Sequence, residues 1–317
     1  MFYNIDCIEG AKKYLADSSV DLIITDPPYG IKGDTLHKHY NRNEANVLSG
    51  YIEVPESEYK EFSERWVKEA ERVLRPGGSI YIVSGYSNLH HILNALGQTS
   101  LKEINHIIWK YNFGVYTKNK YISSHYHILY YYKPGKKPTF NTFSRFSDSE
   151  KSASNGSLNY QDREDVWIIN REYKPGKIKN KNELPSQLLI KMIQYSSNPG
   201  DTICDFFLGS FSTAKIAIGL NREAVGFEKS TVAYNHQIKV MKKIIPGSLL
   251  SQLRVPPKNV LHKQGQPVSD KERKEIKSLF NALQKKGLTK KDSLVAITKK
   301  TGRGYWSLLK IIDKDIT

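Results

Sequence analysis

The chain has 317 residues, 39% of them apolar, which suits one sizeable α/β domain with a smaller appendage. Its formal charge of +16 favours a polyanionic partner. Two cysteines, Cys7 and Cys204, exclude a disulfide framework and a paired-cysteine zinc motif, and no apolar run approaches the roughly 18 residues of a membrane span.

Met1–Asp6 has neither the basic start nor the apolar core of a signal peptide, so a reducing, cytoplasmic location away from membranes is expected. Glu9–Leu15 reads as a short helix and Val20–Asp26 as a buried strand. Glu56–Leu74 carries Phe62, Trp66, Val67, Ala70 and Val73 on one helical face and stops at the breaker Arg75-Pro76-Gly77-Gly78. A strand over Ser79–Ser84 and a helix over Asn88–Leu96 continue the alternation that argues for a parallel sheet covered by helices. Ile104–Trp109 and His125–Tyr132 read as strands joined by a polar, aromatic loop, and residues 134–183 as a long loop region or a partly disordered one. The alternation resumes with a helix at Ser186–Tyr195, a strand at Thr202–Asp205, a helix at Thr213–Gly219, a strand at Glu223–Phe227 and a closing helix at Thr231–Ile244. The expected fold class is therefore α/β, doubly wound and mainly parallel, over residues 1–254. A Pro- and Gly-bearing linker follows at 255–268, then a helical, basic unit at 269–317. Residues 255–317 hold 15 Lys and Arg against 6 Asp and Glu. Within them Thr289 caps one helix, Gly302 breaks it and Tyr305–Ile312 starts another, a pattern similar to a helix-turn-helix, with packing or dimerisation as the alternative use.

Two strand ends carry polar groups where open α/β sheets bind ligands. Asp26-Pro27-Pro28-Tyr29 follows the first strand, and Asp205-Phe206-Phe207-Leu208-Gly209-Ser210-Phe211-Ser212-Thr213 follows a later one. An exocyclic base amine is a poor nucleophile, and acceptors for its N–H groups stabilise the positive charge that grows during methylation. An Asp carboxylate and a Pro carbonyl are such acceptors, and a neighbouring aromatic ring can stack on a base drawn out of the duplex. On this reading the Tyr29 ring face does the work and its hydroxyl is dispensable.

The two motifs and their order resemble the permuted β-class of DNA amino-methyltransferases, the adenine-N6 and cytosine-N4 family, over about four fifths of the chain. The resemblance implies the methyltransferase version of the doubly wound fold, with S-adenosylmethionine as cofactor and no metal. It implies sequence-specific methylation of adenine N6 on a flipped base, since cytosine enzymes of the family more often carry Ser at the position of Asp26. Cytosine N4 methylation, or a DNA-binding homologue with a dead pocket, are the alternatives. The resemblance assigns catalysis to Asp26, Pro27, Pro28 and Tyr29. It assigns the cofactor to Asp6, Cys7, Asp205, Phe206, Phe207, Gly209, Ser210, Thr213 and Glu228, the last for the ribose hydroxyls. Phe211 stands where the family has a second glycine; it either narrows the pocket or, at a negative φ, turns its ring away. Pro185 survives from a family Lys-Pro pair whose Lys is missing here.

The family places target recognition where residues 110–182 lie, and basic residues there interleave with aromatics. Lys110, Lys118, Lys120, Lys136, Arg145, Arg163 and Lys177 are the expected DNA ligands. His37-Lys38-His39-Tyr40 reads as part of a mobile loop over the base pocket. DNA is the implied partner; a homodimer and a cognate restriction endonuclease are left open.

Overall fold

Alternating apolar strands and amphipathic helices build a sheet of eight strands in the order β1-β8-β7-β2-β3-β5-β4-β6. The computed structural model describes residues 1–30, 54–112, 114, 116–172, 183–253 and 268–313. The His37–Tyr40 segment, Lys177 and nearly all of the expected linker lie outside the described residues. The strands are β1 (Phe2–Tyr3), β2 (Val20–Thr25), β3 (Leu74–Ser84), β4 (Lys102–Lys110), β5 (His125–Tyr132), β6 (Val166–Ile168), β7 (Thr202–Asp205) and β8 (Glu223–Phe227). The helices of the sheet domain are α1 (Cys7–Tyr14), α2 (Tyr59–Val73), α3 (Leu89–Gly97), α4 (Leu158–Asp162), α5 (Ser186–Ser196), α6 (Ser212–Gly219) and α7 (Thr231–Met241). Three more follow: α8 (Asp270–Lys285), α9 (Lys290–Thr301) and α10 (Tyr305–Asp313). The chain divides into two compact units, Met1–Arg254 and Val255–Thr317.

The side-chain alternation of the strands separates two cores. Ile23, Ile80, Ile82 and Leu129 face α1, α2 and α3, where Ile8, Trp66, Ala70 and Leu96 meet them. Leu22, Ile24, Tyr81 and Ile128 face α5 and α6, where Leu188, Met192, Ala214 and Ala217 meet them. The result is the expected doubly wound sheet, with one exception to its parallel pairing that matters for the site. β5 runs antiparallel to both β3 and β4.

The breaker at Arg75–Gly78 does end α2, but it lies within β3 rather than before it. Register shifts between Val20 and Leu22 opposite this segment, the mark of a bulge. Asp21 satisfies the irregularity by pairing with Arg75 and accepting the Thr202 amide at 2.8 Å. Gly78 is required there, because a Cβ would press on the Asp21 carbonyl.

Phe211 departs from the expected geometry. Its φ is +61°, the left-handed conformation that a glycine takes without cost. Its ring is nonetheless fully buried, edge-on to Phe2 at 5.2 Å and beside Tyr234 at 6.2 Å. A core-filling side chain thus holds a glycine conformation, with the ring committed to packing. Phe211→Gly is expected to relieve about 1 kcal/mol of backbone strain and lose about 3–5 kcal/mol of burial. Urea unfolding should therefore show the variant destabilised by about 2–4 kcal/mol, and a stabilised variant would refute this account of the packing.

Candidate active site

β2 and β7 lie side by side and parallel, so Asp26 and Asp205 leave the sheet at the same carboxyl edge. Thr25 donates to Asp205 Oδ1 at 3.0 Å, and the Phe207 amide donates to the same oxygen at 3.0 Å. Glu228 ends the neighbouring β8 and accepts the Gly209 amide at 2.8 Å and the Ser230 amide at 2.7 Å. Asp6 follows β1, the next strand, caps α1 through the Ile8 amide at 3.0 Å and lies 3.7 Å from Lys229. The sheet therefore gathers Asp26, Asp205, Glu228 and Asp6 along one edge.

The loop after β2 is clamped by residues that no motif signalled. Tyr59, buried at the start of α2, donates its hydroxyl to the Pro28 carbonyl at 2.6 Å. Asn88, just before α3, donates to the carbonyls of Tyr29 at 2.7 Å and Gly30 at 3.1 Å. Gly30 has φ +67°, and a Cβ there would strike the Asn88 amide and the Tyr59 ring. The Tyr29 hydroxyl is not idle, contrary to the sequence expectation. It donates to Asp26 Oδ1 at 2.6 Å.

β5's reversal supplies the rest of the edge. Because β5 is antiparallel, its beginning lies where β3 ends, with His127 opposite Ser84. Tyr126 pairs with Trp109, and Lys110 pairs with both His125 and Ile168. Tyr126 consequently stacks on Tyr29 with ring centres 5.8 Å apart. The Arg171 guanidinium lies over the rings of Tyr111 at 4.9 Å, Tyr126 at 5.2 Å and Trp109 at 5.8 Å. Such cation–ring contacts keep a charge at a desolvated site.

Burial pushes the Asp26 carboxyl up to about 7; the nearby Asp205 charge adds to this, while the Tyr29 hydroxyl and Arg171 oppose it. Asp205 rises to about 6 through burial, against hydrogen bonds from Thr213, Phe207 and Thr25. Glu228 is raised by burial, against the Ser230 and Gly209 amides.

Residues 20–239 match the family described as DNA methylase, the N6/N4 methyltransferases. The chain belongs to this family. It is 32% identical over 225 residues to the Type II methyltransferase M.HpaI of Haemophilus parainfluenzae, covering 69% of this chain and 67% of that one. It is 28% identical over 271 residues to the Type II methyltransferase M.HinfI of Haemophilus influenzae, covering 80% and 72%. The fold resembles the crystal structure of the M1.HpyAVI–SAM complex, with a TM-score of 0.52 and 21% identity over 75% of this chain and 97% of that one. It also resembles the cytosine-N4-specific PvuII DNA methyltransferase, with a TM-score of 0.54 and 16% identity over 77% and 91%.

Within this DNA methylase the remaining expected site residues divide. Gly209 is left-handed at φ +48°, Ser210 and Thr213 are buried at the start of α6, and Phe207 packs on Trp66 at 5.5 Å. The Phe206 ring is 1% exposed and sits edge-on to Phe227 in the core, which leaves its backbone to the loop. The Cys7 thiol is likewise buried, and desolvation raises its pKa well above the usual thiol range.

The expected DNA ligands separate by sheet edge. Lys110 ends β4 at the carboxyl edge, where its ammonium donates to the Tyr111 carbonyl and Ser124 hydroxyl, both at 3.1 Å. Lys118 and Lys120 are exposed in the loop that joins β4 to β5 at that same edge. Lys136 lies elsewhere: β5 ends opposite Ser79, and Lys136 lies against Gly77 at the amino edge of the sheet. Arg145 is held by Asp162 at 2.8 Å and by Gln194 of α5 at 3.1 Å. Arg163 precedes β6, also away from the carboxyl edge, with its Nε on the Asn159 carbonyl at 3.1 Å.

A carboxyl whose pKa is higher in the fold than in the unfolded chain holds its proton more tightly when folded. Its stability contribution falls as pH rises from its ordinary 3.8 through about 7 for Asp26. Asp26→Asn keeps an acceptor for the Tyr29 hydroxyl and cannot ionise. Its melting temperature should exceed that of the wild type at pH 8 and equal it near pH 4, read by calorimetry. A gain confined to acid pH would reverse the assigned sign.

Proposed function

We propose that this DNA methyltransferase transfers a methyl group from S-adenosylmethionine to adenine N6 of a base rotated out of the duplex. The carrying observation is the clamped Asp26–Tyr29 loop, which shares its sheet edge with the Asp205–Thr213 loop. The Pro28 carbonyl is taken by Tyr59 and Asp26 Oδ1 by Tyr29, which leaves Asp26 Oδ2 and the Pro27 carbonyl to receive the two N–H groups of an exocyclic amine. Bound S-adenosylmethionine supplies a methyl group carried on a sulfonium. Asp26 and Pro27 stabilise positive charge growing on the amine nitrogen, and a carboxylate near pKa 7 is matched to take up the released proton at neutral pH. Tyr29 stacks on the base, a contact of roughly 1–3 kcal/mol. Direct transfer needs no covalent intermediate.

The chain's residues fit that cofactor. Gly209 brings a loop without Cβ to the edge, and Glu228 is a half-buried carboxylate suited to ribose hydroxyls. The acidic edge of Asp205 and Glu228 complements a cationic ligand. Adenine rather than cytosine is favoured by Asp, not Ser, at position 26. The Type II relatives favour a role in a restriction-modification system, with a partner endonuclease acting on the same sequence.

Nucleoside mass spectrometry of DNA incubated with the protein and cofactor should yield N6-methyladenine. N4-methylcytosine would overturn the base assignment while leaving the family intact. Asp26→Ala should lower turnover by about 10²-fold or more and spare cofactor binding. Tyr29→Phe keeps the stacking ring but removes the hydroxyl that lowers the Asp26 pKa, so its acid limb in a pH–rate profile should move upward. An unmoved limb would deny the hydroxyl its electrostatic role.

Cofactor affinity should depend on pH through the same carboxylates. A sulfonium favours their ionised forms, so calorimetric affinity should fall as pH drops below about 6, the Asp205 value. S-adenosylhomocysteine has no sulfonium charge and should lose less. Equal losses for both ligands would place the pH dependence elsewhere.

A further inference from the structure

The C-terminal unit holds none of the residues assigned to the chemistry above, yet it is built as a module with its own core. Ile276 of α8, Leu294 and Ile297 of α9 and Leu308 and Ile311 of α10 are buried together, so each helix packs on the other two. α9 starts at a Thr289 cap, whose hydroxyl accepts the Asp292 amide at 3.1 Å. It ends at Gly302, left-handed at φ +67°, and Leu308 of α10 already bonds back to Gly304 at 3.0 Å. The connection is therefore the three residues Gly302-Arg303-Gly304, the short glycine-bearing turn of a helix-turn-helix. Arg303 is buried and forked onto Glu272 of α8, at 2.6 and 3.1 Å, which ties the turn to the first helix. A buried, bidentate pair of this kind fixes orientation more than it adds stability.

Charge on this unit is sorted. Residues 268–313 hold 12 Lys and Arg against 5 Asp and Glu. Glu272 is spent on Arg303, Asp313 on Lys290 at 2.7 Å, and Asp292 accepts the Thr289 hydroxyl at 2.6 Å. Lys299 and Lys300 stand exposed in the last turn of α9, immediately before the turn. On α10, Lys310 is exposed opposite the buried Leu308 and Ile311, with Ser307 on its flank. With Glu272 and Asp313 paired inside the unit, Lys299, Lys300 and Lys310 and the Ser307 hydroxyl stand at the end of α9 and on α10.

We propose that α8–α10 is a second DNA-binding module, with α10 entering the major groove and Lys299 and Lys300 gripping the flanking phosphates. A duplex suits the face by charge and by the size of its major groove, which admits one helix. A second copy of the chain does not, because a two-fold interface through this face would set lysines against lysines. The proposal rests on the reading of the chain as a DNA methyltransferase only for the choice of polyanion.

The test is anisotropy titration of a fluorescein-labelled 30-bp duplex of arbitrary sequence with the full chain across a salt series. For Lys299→Gln/Lys300→Gln/Lys310→Gln we expect a log–log salt slope shallower by about 0.9 for each phosphate that is no longer neutralised, and affinity lower by up to roughly 10²-fold at 0.1 M salt. Calorimetric S-adenosylmethionine binding and the melting curve should be unchanged. The Lys→Arg triple variant should keep the wild-type slope. Equal affinity and slope for the Gln variant would overturn the proposal. So would a loss that accompanies a change from dimer to monomer by sedimentation, since the face would then serve self-association. A wild type that bound no duplex would instead sink the functional reading itself. Ser307→Cys, labelled with iron–EDTA, should cleave with the strand offset of a major-groove probe; Cys7 and Cys204 are buried and will not compete for label. A minor-groove offset would overturn the placement of α10.

Discussion

The site depends on one buried carboxylate. Asp205 Oδ1 accepts from Thr25 on β2 and from the Phe207 amide in its own loop, both at 3.0 Å. Residue 25 precedes the acceptor loop and residue 207 lies in the loop proposed to hold the methyl donor. One oxygen thus sets the spacing between the two halves of the proposed reaction, from segments 180 residues apart in the chain. The hydrogen bonds come from neutral groups, so they hold Asp205 in place without neutralising it. Its charge remains to act on Asp26, which is one reason Asp26 titrates near 7.

The edge is accordingly under electrostatic tension. Asp26, Asp205 and Glu228 are all raised by burial, and hydroxyls and backbone amides hold all three. Folding such a group costs stability that a cationic ligand can return on binding. Arg171, lying over three aromatic rings, supplies one counter-charge to Asp26. The hydroxyl of Tyr29, donating to Asp26 Oδ1 at 2.6 Å, likewise opposes the rise.

Much of this is legible in the sequence, because the signals are local. The runs Val20–Thr25 and Thr202–Asp205 announce strands, and the polar residues that follow them fall at the edge where α/β sheets bind ligands. What escapes is long-range. Tyr59 and Asn88 sit within helical patterns whose apolar faces explain the local sequence, and nothing nearby reveals that each reaches back about 30 to 59 residues to the Pro28–Gly30 carbonyls. At Phe211 the φ that a glycine-like position demands is present, but the ring's place in the core depends on Phe2, at the far end of the chain.

The largest surprise concerns where the basic residues of the insertion lie, and it follows from the direction of a single strand. In a parallel sheet every strand delivers its last residues to the ligand-binding edge. An antiparallel strand delivers its first residues there instead and carries its last ones to the opposite edge. β5 is antiparallel, so the loop holding Lys118 and Lys120 and the start of β5 with Tyr126 share the edge with Asp26, while Lys136 is carried away from it. Arg145 then fastens the departing segment to α5 through Asp162 and Gln194. The basic residues of the insertion look alike in composition but serve two ends of the sheet. Those near residue 120 share the carboxyl edge with Asp26, and Arg145 holds the insertion to the domain that supports it.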